Sequence, residues 1–318
     1  MKTVLSLAAA LLVSVAAPQA PAAEKYPTRP VRLIVPFAPG GGTDIMSRIL
    51  AGPVSASLGQ TVVVDNRPGA GGALGAELAA KAEPDGHTLV MVSSSYAASA
   101  AYRKLPYDPV NGIQPVVLIG TTGLVMVVHP SVPAKSVRGL IDHAKANPGK
   151  LNYATVGTGS VTHLAHEQLR LLTGINIVHI PYKGGGPALA AVVAGEAQLT
   201  MISMVPTLPH VKAGRLRPLG VTTPKPMRAM PELPRIGDTV PGFEVIHWYG
   251  IWGPKGMPKD VVARWNREVA KVLFTDEMKT RTSREGLEAG GGPPEELHKL
   301  IRRDVEKWRR VVKEGNIR

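Results

Sequence analysis

Short runs of Val, Ile and Leu alternate along the chain with stretches whose apolar residues recur every three or four positions, and glycine-rich turns separate the two. Continuous apolar runs suit buried strands and the longer period suits amphipathic helices, so the alternation predicts α/β layers with largely parallel sheets. Val31 to Val35 reads as a strand, Gly40-Gly41-Gly42 as a turn, and Asp44 to Leu58 as a helix with Ile45, Ile49 and Leu50 on one face. The unit repeats with a strand at Thr61 to Val64, a glycine loop at Asn66 to Gly72 and a helix at Ala73 to Ala82. A third strand, Thr88 to Val92, ends in Ser93-Ser94-Ser95.

Val116 to His129 is a long apolar run broken by Gly120-Thr121-Thr122-Gly123, the pattern of a strand passing from one lobe into another. The rhythm then restarts. Ser136 caps a helix through Ala146, Leu151 to Ala154 is a strand and Val161 to Leu172 a helix. A strand from Ile175 to Ile180, a helix from Ala188 to Gly195 and strands at Leu199 to Ile202 and Leu216 to Thr222 follow. The Pro-rich stretch Pro224 to Pro241 breaks periodicity, and Phe243 to Trp252 reads as the return crossing. Lys259 to Leu273 and Glu295 to Lys313 are closing amphipathic helices. The expected organisation is two lobes, the first from 24–122 and 250–318 and the second from 123–249.

Residues 1–23 pair Lys2 with an apolar run and small residues through Ala23, the pattern of a signal peptide cleaved between Ala20 and Glu24. Export to a periplasm follows as an expectation. The 318 residues include no cysteine, which excludes disulfides, thiolate metal sites and lipidation at a mature N-terminal cysteine, so the expected product is a free protein with a large apolar core. A formal charge of +13 favours anionic partners. The basic residues are dispersed, and the densest cluster, Arg302 to Lys313, lies on the solvent side of an amphipathic helix, so nucleic acid is not an expected partner.

A helix that opens directly after a strand and a glycine turn presents backbone N–H groups without intrahelical partners and with partial positive charge, while glycine lets a ligand oxygen approach the main chain. Pro36 to Asp44 has this form, with Asp44 reading as a capping residue. Gly157-Thr158-Gly159-Ser160 repeats it ahead of the helix carrying His163, and Pro181-Tyr182-Lys183-Gly184-Gly185-Gly186 again, with Tyr182 as a wall and Lys183 either adding charge or standing in solvent. Two such turns facing each other would hold a carboxylate from both sides. Enzymatic readings fit less well. Gly69 to Gly75 imitates a dinucleotide loop, but the next strand ends in serines and not in the acid that would hold a ribose, so no cofactor is expected. Ser160 lacks a nucleophile elbow, and His163, His166 and Glu167 lack zinc-enzyme spacing, so neither catalytic residue nor metal is expected.

The order of these motifs resembles that of the periplasmic substrate-binding proteins of tripartite tricarboxylate transporters, the Bug or TctC-like family. The likeness rests on Tyr26-Pro27-Thr28-Arg29-Pro30, Pro36-Phe37 with Pro39-Gly40-Gly41 and Asp44, Asn66 to Gly72, Pro84 to Leu89, Leu105 to Pro109, Asn147 to Tyr153, Gly157 to Leu164 and Pro181 to Gly184. It implies a type II periplasmic-binding-protein fold, a ligand in the cleft between lobes and membrane permease subunits as partners. It also implies ligand contacts from Phe37, Ala38, Pro39, Gly40, Gly41, Thr43 and Asp44, from Ser93, Ser94 and Ser95, and from Gly157, Thr158, Gly159, Ser160 and His163. Ser203 stands where some relatives carry an acid for a ligand ammonium group, which disfavours an amino-acid ligand. The resulting expectation is a monomeric, non-enzymatic receptor for a small organic acid, with lobes closing about Gly123 and Tyr249. A membrane-coupled sensor and a Ser160 hydrolase are the rivals, and Trp248, Tyr249 and Trp252 are alternatives for a ligand contact.

Overall fold

The structure is a computed structural model describing residues 26–284 and 286–317. The expected signal peptide, 1–23, lies outside the described residues. Strand β1 (Val31–Val35) leads through helix α1 (Gly42–Leu58) to β2 (Val62–Asn66). A 3-10 turn (Ala70–Gly72) then runs into α2 (Ala73–Ala80), β3 (Thr88–Ser93) and α3 (Ser95–Tyr102). β1 lies between β2 and β3, parallel to both.

β4 (Ile113–Val128) then leaves this half of the molecule. After α4 (Val137–Ala146) come β5 (Asn152–Thr155), α5 (Val161–Thr173), β6 (Val178–Pro181), α6 (Gly185–Val193), β7 (Leu199–Ser203), α7 (Met204–Lys212), β8 (Arg217–Val221) and α8 (Ile236–Thr239). The chain returns in β9 (Ile246–Pro254) and closes with α9 (Lys259–Leu273), α10 (Asp276–Arg284), β10 (Glu288–Ala289) and α11 (Pro294–Glu314). The strands form one path, β2-β1-β3-β9-β4-β7-β5-β6, with β8 and β10 also paired to β4.

β4 belongs to two sheets. Its residues 113–123 pair with β9, and residues 124–128 pair with β7 and β8. The expected parallel character holds only for β1 with β2 and β3 and for β5 with β6 and β7; β9 runs antiparallel to both β3 and β4. A strand re-entering from the far half must run against the strand that left, which is the reason for the mixed sheet. The whole of β9 lies in the first sheet, so the return passage falls just before it, at Val245, whose N–H donates to the Thr222 carbonyl at 2.8 Å.

The last helix ties the halves together. Leu297, Ile301, Val305, Trp308 and Val311 form one buried stripe on α11, as its period requires. The first three pack with Trp248 and Trp252, whereas Trp308 and Val311 pack with Leu140, Tyr153 and Leu164 of the second half. Trp248 Nε1 donates to Asp304 Oδ2 at 2.8 Å and fixes the helix over the sheet. No helix among the described residues is long and apolar enough to cross a membrane.

Candidate functional site

Five helix starts surround one cavity between the two halves. Gly41, Gly42 and Thr43 come from the start of α1, Ser93 and Ser95 from that of α3, Val161 and Thr162 from α5, Gly185 from α6, and Ser203 precedes α7. Phe37, Leu124, Val156, Ile202, His247 and Tyr249 complete the wall. No Lys, Arg, Asp or Glu is among these lining residues. Four of the five helices, all but α5, lack a side-chain cap at their first turn. Partial positive charge at each start, acting in a site screened from water, makes the cavity complementary to an anion without a cationic side chain.

The cavity is closed. Its volume is about 30 Å³, room for one water and too little for a dicarboxylate. Main chain meets main chain across the gap. A Cβ on Gly41 would lie 3.0 Å from the Gly185 nitrogen, and one on Gly157 would lie 3.1 Å from the Gly71 Cα. The Ala38 N–H donates to the Lys183 carbonyl at 3.0 Å, and Arg103 donates to the Thr158 carbonyl at 2.7 Å. The Val161 N–H donates to Ser95 Oγ at 3.3 Å, so a serine of one half occupies the amide that opens α5 in the other. Ser203 Oγ and the Tyr249 hydroxyl lie 2.8 Å apart.

The residues expected from the sequence fall into four groups. Phe37, Gly41, Thr43, Ser93, Ser95 and Ser203 line the cavity. Gly157, Thr158, Tyr182 and Lys183 line an adjoining recess of about 470 Å³ with Gly69, Gly71, Tyr102 and Arg103, and Ala38, Pro39 and Gly40 form the turn between the two.

The others lie behind the wall. Asp44 accepts from the Gly40 N–H at 3.0 Å, from Asn66 Nδ2 at 2.9 Å and from Arg48 Nε at 3.0 Å. Its burial opposes ionisation, and these hydrogen bonds outweigh it to hold the carboxyl below the usual range. Its oxygens serve the turn. Ser94 Oγ is engaged with His247 Nδ1 at 2.6 Å. Gly159 donates its N–H to His163 Nδ1 at 3.2 Å, and Ser160 accepts from the His163 N–H and pairs with Thr162 Oγ1 at 2.9 Å. Both belong to the frame of the α5 turn.

A column of rings supports that turn. His163 stacks on His179 at 4.2 Å, His179 on Tyr153 at 5.0 Å and Tyr153 on His166 at 4.4 Å. The Tyr153 hydroxyl donates to Glu167, which also holds Arg170. Burial pushes His166 down to about 4 and His179, with neighbouring His163 adding to the effect, down to about 3, so the rings stand neutral. Burial alone pushes His247 in the cavity wall down to about 3.

Gly42, Val161, Thr162 and Gly185 lie within the loops expected to meet a ligand. Leu124, Val156, Ile202 and His247 carry no such signal and needed the topology. Of the three aromatic alternatives, Tyr249 reaches the cavity, while Trp248 and Trp252 are packed against α11 and Tyr96.

Comparison with known proteins places this architecture. Residues 46–317 match the family model described as the tripartite tricarboxylate transporter family receptor. Protein BugT of Bordetella pertussis is 34% identical over 92% of this chain and 91% of its own length. Among solved structures, R. palustris Rpa4515 with adipate is 35% identical with a TM-score of 0.88, covering 92% of this chain and 98% of that one. MatC from Rhodopseudomonas palustris with bound malate is 30% identical with a TM-score of 0.87, covering 90% and 100%. The mixed α/β fold is that of the periplasmic binding proteins, and the chain belongs to the tripartite tricarboxylate transporter receptor family.

Proposed function

We propose that this protein is a periplasmic receptor that captures a small aliphatic dicarboxylate between two lobes and delivers it to the membrane subunits of a tripartite tricarboxylate-type transporter. The observation that carries the reading is the convergence of five helix starts on an uncharged cavity. One carboxylate takes the amides of α1, α5 and α6, with hydroxyls from Thr43, Ser95, Thr162 and Ser203 as further donors. Relatives solved with adipate and with malate make a dicarboxylate the favoured class. The two lobes open about β4 near Gly123 and about the passage into β9 at Val245. The ligand replaces contacts such as the Val161 to Ser95 bond, which returns that amide to ligand use.

A hydrolase reading has no support in this geometry. The Ser160 side chain is fully buried and its hydroxyl is committed to the α5 turn, with no base poised to activate it. We propose binding without turnover.

A thermal-shift screen of adipate, malate, succinate and citrate at fixed pH, followed by calorimetric titration, tests the reading. At a hundredfold excess over Kd, a true ligand adds about 2.7 kcal/mol. Ser95→Ala with Ser203→Ala is expected to weaken the acid that binds by about tenfold, and Ser160→Ala is expected to show no ester or amide turnover distinguishable from the parent. Failure of every organic acid to stabilise the protein would sink the capture mechanism.

A further inference from the structure

Beside Gly123 the halves flank a second and larger cavity, open to solvent and about 590 Å³ in volume. One wall is Thr121, Thr122 and Gly123 of β4 with Ile246 at the start of β9. A second is the loop from Thr223 to Arg228, and a third comes from α10 and the segment 286–289 leading through β10. It shares no lining residue with the cavity between the helix starts. Its size is in the range of small-molecule sites, ~300–1,000 Å³.

The chemistry of its lining is two-sided. Met227, Leu287 and Ile246 form an apolar floor, with Met227 and Leu287 each 5% exposed. Among the described lining residues, Lys225, Arg228 and Lys279 stand exposed around it with one carboxylate, that of Glu288. Lys279 has an ion-pair neighbour in Asp276, but at 3.9 Å and with Asp276 fully in solvent, so its charge is little spent. Hydroxyls of Thr121, Thr223 and Ser283 complete the rim, and Thr122 Oγ1 is buried without a hydrogen-bond partner among the described residues. The front cavity offers amides and no cations, whereas this one offers cations over an apolar floor.

The floor is also adaptable. A Cβ on Gly286 would lie 2.2 Å from Met204 Cε and 3.0 Å from Met227 Cε, and one on Gly123 would lie 2.8 Å from Met227 Sδ. Methionine side chains from the second half therefore lie against both β4 and the segment before β10, where flexible thioethers can repack about an apolar body. We propose that this hinge-side cavity is a second ligand site, for an organic monocarboxylate with an apolar tail. Lys225, Arg228 and Lys279 meet the acid, and Met227, Ile246 and Leu287 meet the tail. The assignment does not depend on what the front cavity binds.

Calorimetric titration of the full chain with hexanoate, and with uncharged hexanamide, tests it. Saturable one-site binding of hexanoate is expected, with hexanamide at least tenfold weaker. Lys225→Glu with Arg228→Glu, both exposed and so expected to fold, should weaken hexanoate by tenfold or more, and Lys279→Glu alone by about threefold. Gly41→Val, which obstructs the front cavity, should leave hexanoate within twofold of the parent. Loss of hexanoate in Gly41→Val with retention in the charge-reversed variant would overturn the site, since the acid would then be reading the front cavity. Equal binding of hexanamide, indifference to all three variants, or no saturable heat would overturn it as well.

Discussion

The two cavities flank β4 and β9 and would offer an anion opposite kinds of partner. The front one is closed to about 30 Å³ and presents backbone amides at helix starts; the hinge-side one is about 590 Å³ and presents exposed cations over a Met-lined floor. A site made of main chain takes its charge from dipoles that neither titrate nor swing away, and its specificity from how closely two backbones approach. A site made of lysine and arginine is long-ranged and forgiving in shape, and solvent ions compete for it.

Acid is expected to have the largest effect, and it acts on the front side. His166 and His247 are buried neutral, with values pushed down to about 4 and about 3, while an unfolded chain takes up these protons near pH 6.5. Between those limits the unfolded state binds more protons, so this stability is complete above about pH 6.5 and is lost as the pH falls toward the folded values. Urea unfolding at pH 7 and pH 4 should differ by about 3 kcal/mol from His166 alone. A flat profile would show that the ring column tolerates charge and that the front turn is not held by neutral imidazoles.

Gly41→Val comes next. Gly41 has φ of −87° and ψ of 167°, which valine adopts freely, so the substitution adds no backbone strain. Its effect is to hold apart two backbones that a Cβ would bring within 3.0 Å. A dicarboxylate bound in the front cavity should lose about a hundredfold in affinity, roughly 2.7 kcal/mol, in calorimetric titration. Unchanged affinity would mean that closure of this gap plays no part in binding.

Salt should give the smallest and most diagnostic difference. Raising NaCl from about 20 to about 300 mM shortens the screening length severalfold and is expected to weaken hexanoate at the hinge about threefold, against less than twofold for a dicarboxylate at the front. Equal salt dependence in parallel titrations would erase the distinction between amide-built and cation-built recognition.

Much of this architecture was legible because the period of the apolar residues survives where an element has one buried face. Lys259 to Leu273 is a helix with the bounds expected from Val262, Trp265, Val269 and Leu273, and α11 differs from expectation by one residue at each end. Helix α3 escaped notice because Ser-Tyr-Ala-Ala-Ser-Ala-Ala-Tyr has no polar face, six of its residues being buried. In α7, Pro206 and Pro209 read as breakers but are accommodated, and α10 is too polar to show an apolar stripe. At the site, glycine turns after strands were visible because only close backbone approach explains so many glycines. Ser94 follows Ser93 and precedes Ser95 yet does not line the cavity, its hydroxyl being bound to His247 Nδ1, a pairing between distant positions that the sequence does not display. His247 and Tyr249 lie two apart in β9, so strand alternation puts both on the face opposite Trp248, but which face meets the cavity is set by the topology.

Because β4 is a member of both sheets and α11 is anchored in both cores, this molecule has no clean seam. Exchanging its binding half with that of a relative would leave three joints to match: one inside β4 beside Gly123, one at Val245, and one where Trp308 enters the other half's interior. A graft that kept the donor's loops but the host's Trp308 neighbourhood would carry a packing fault far from any ligand. Chimeras of such receptors are therefore better cut around that tryptophan than by chain position.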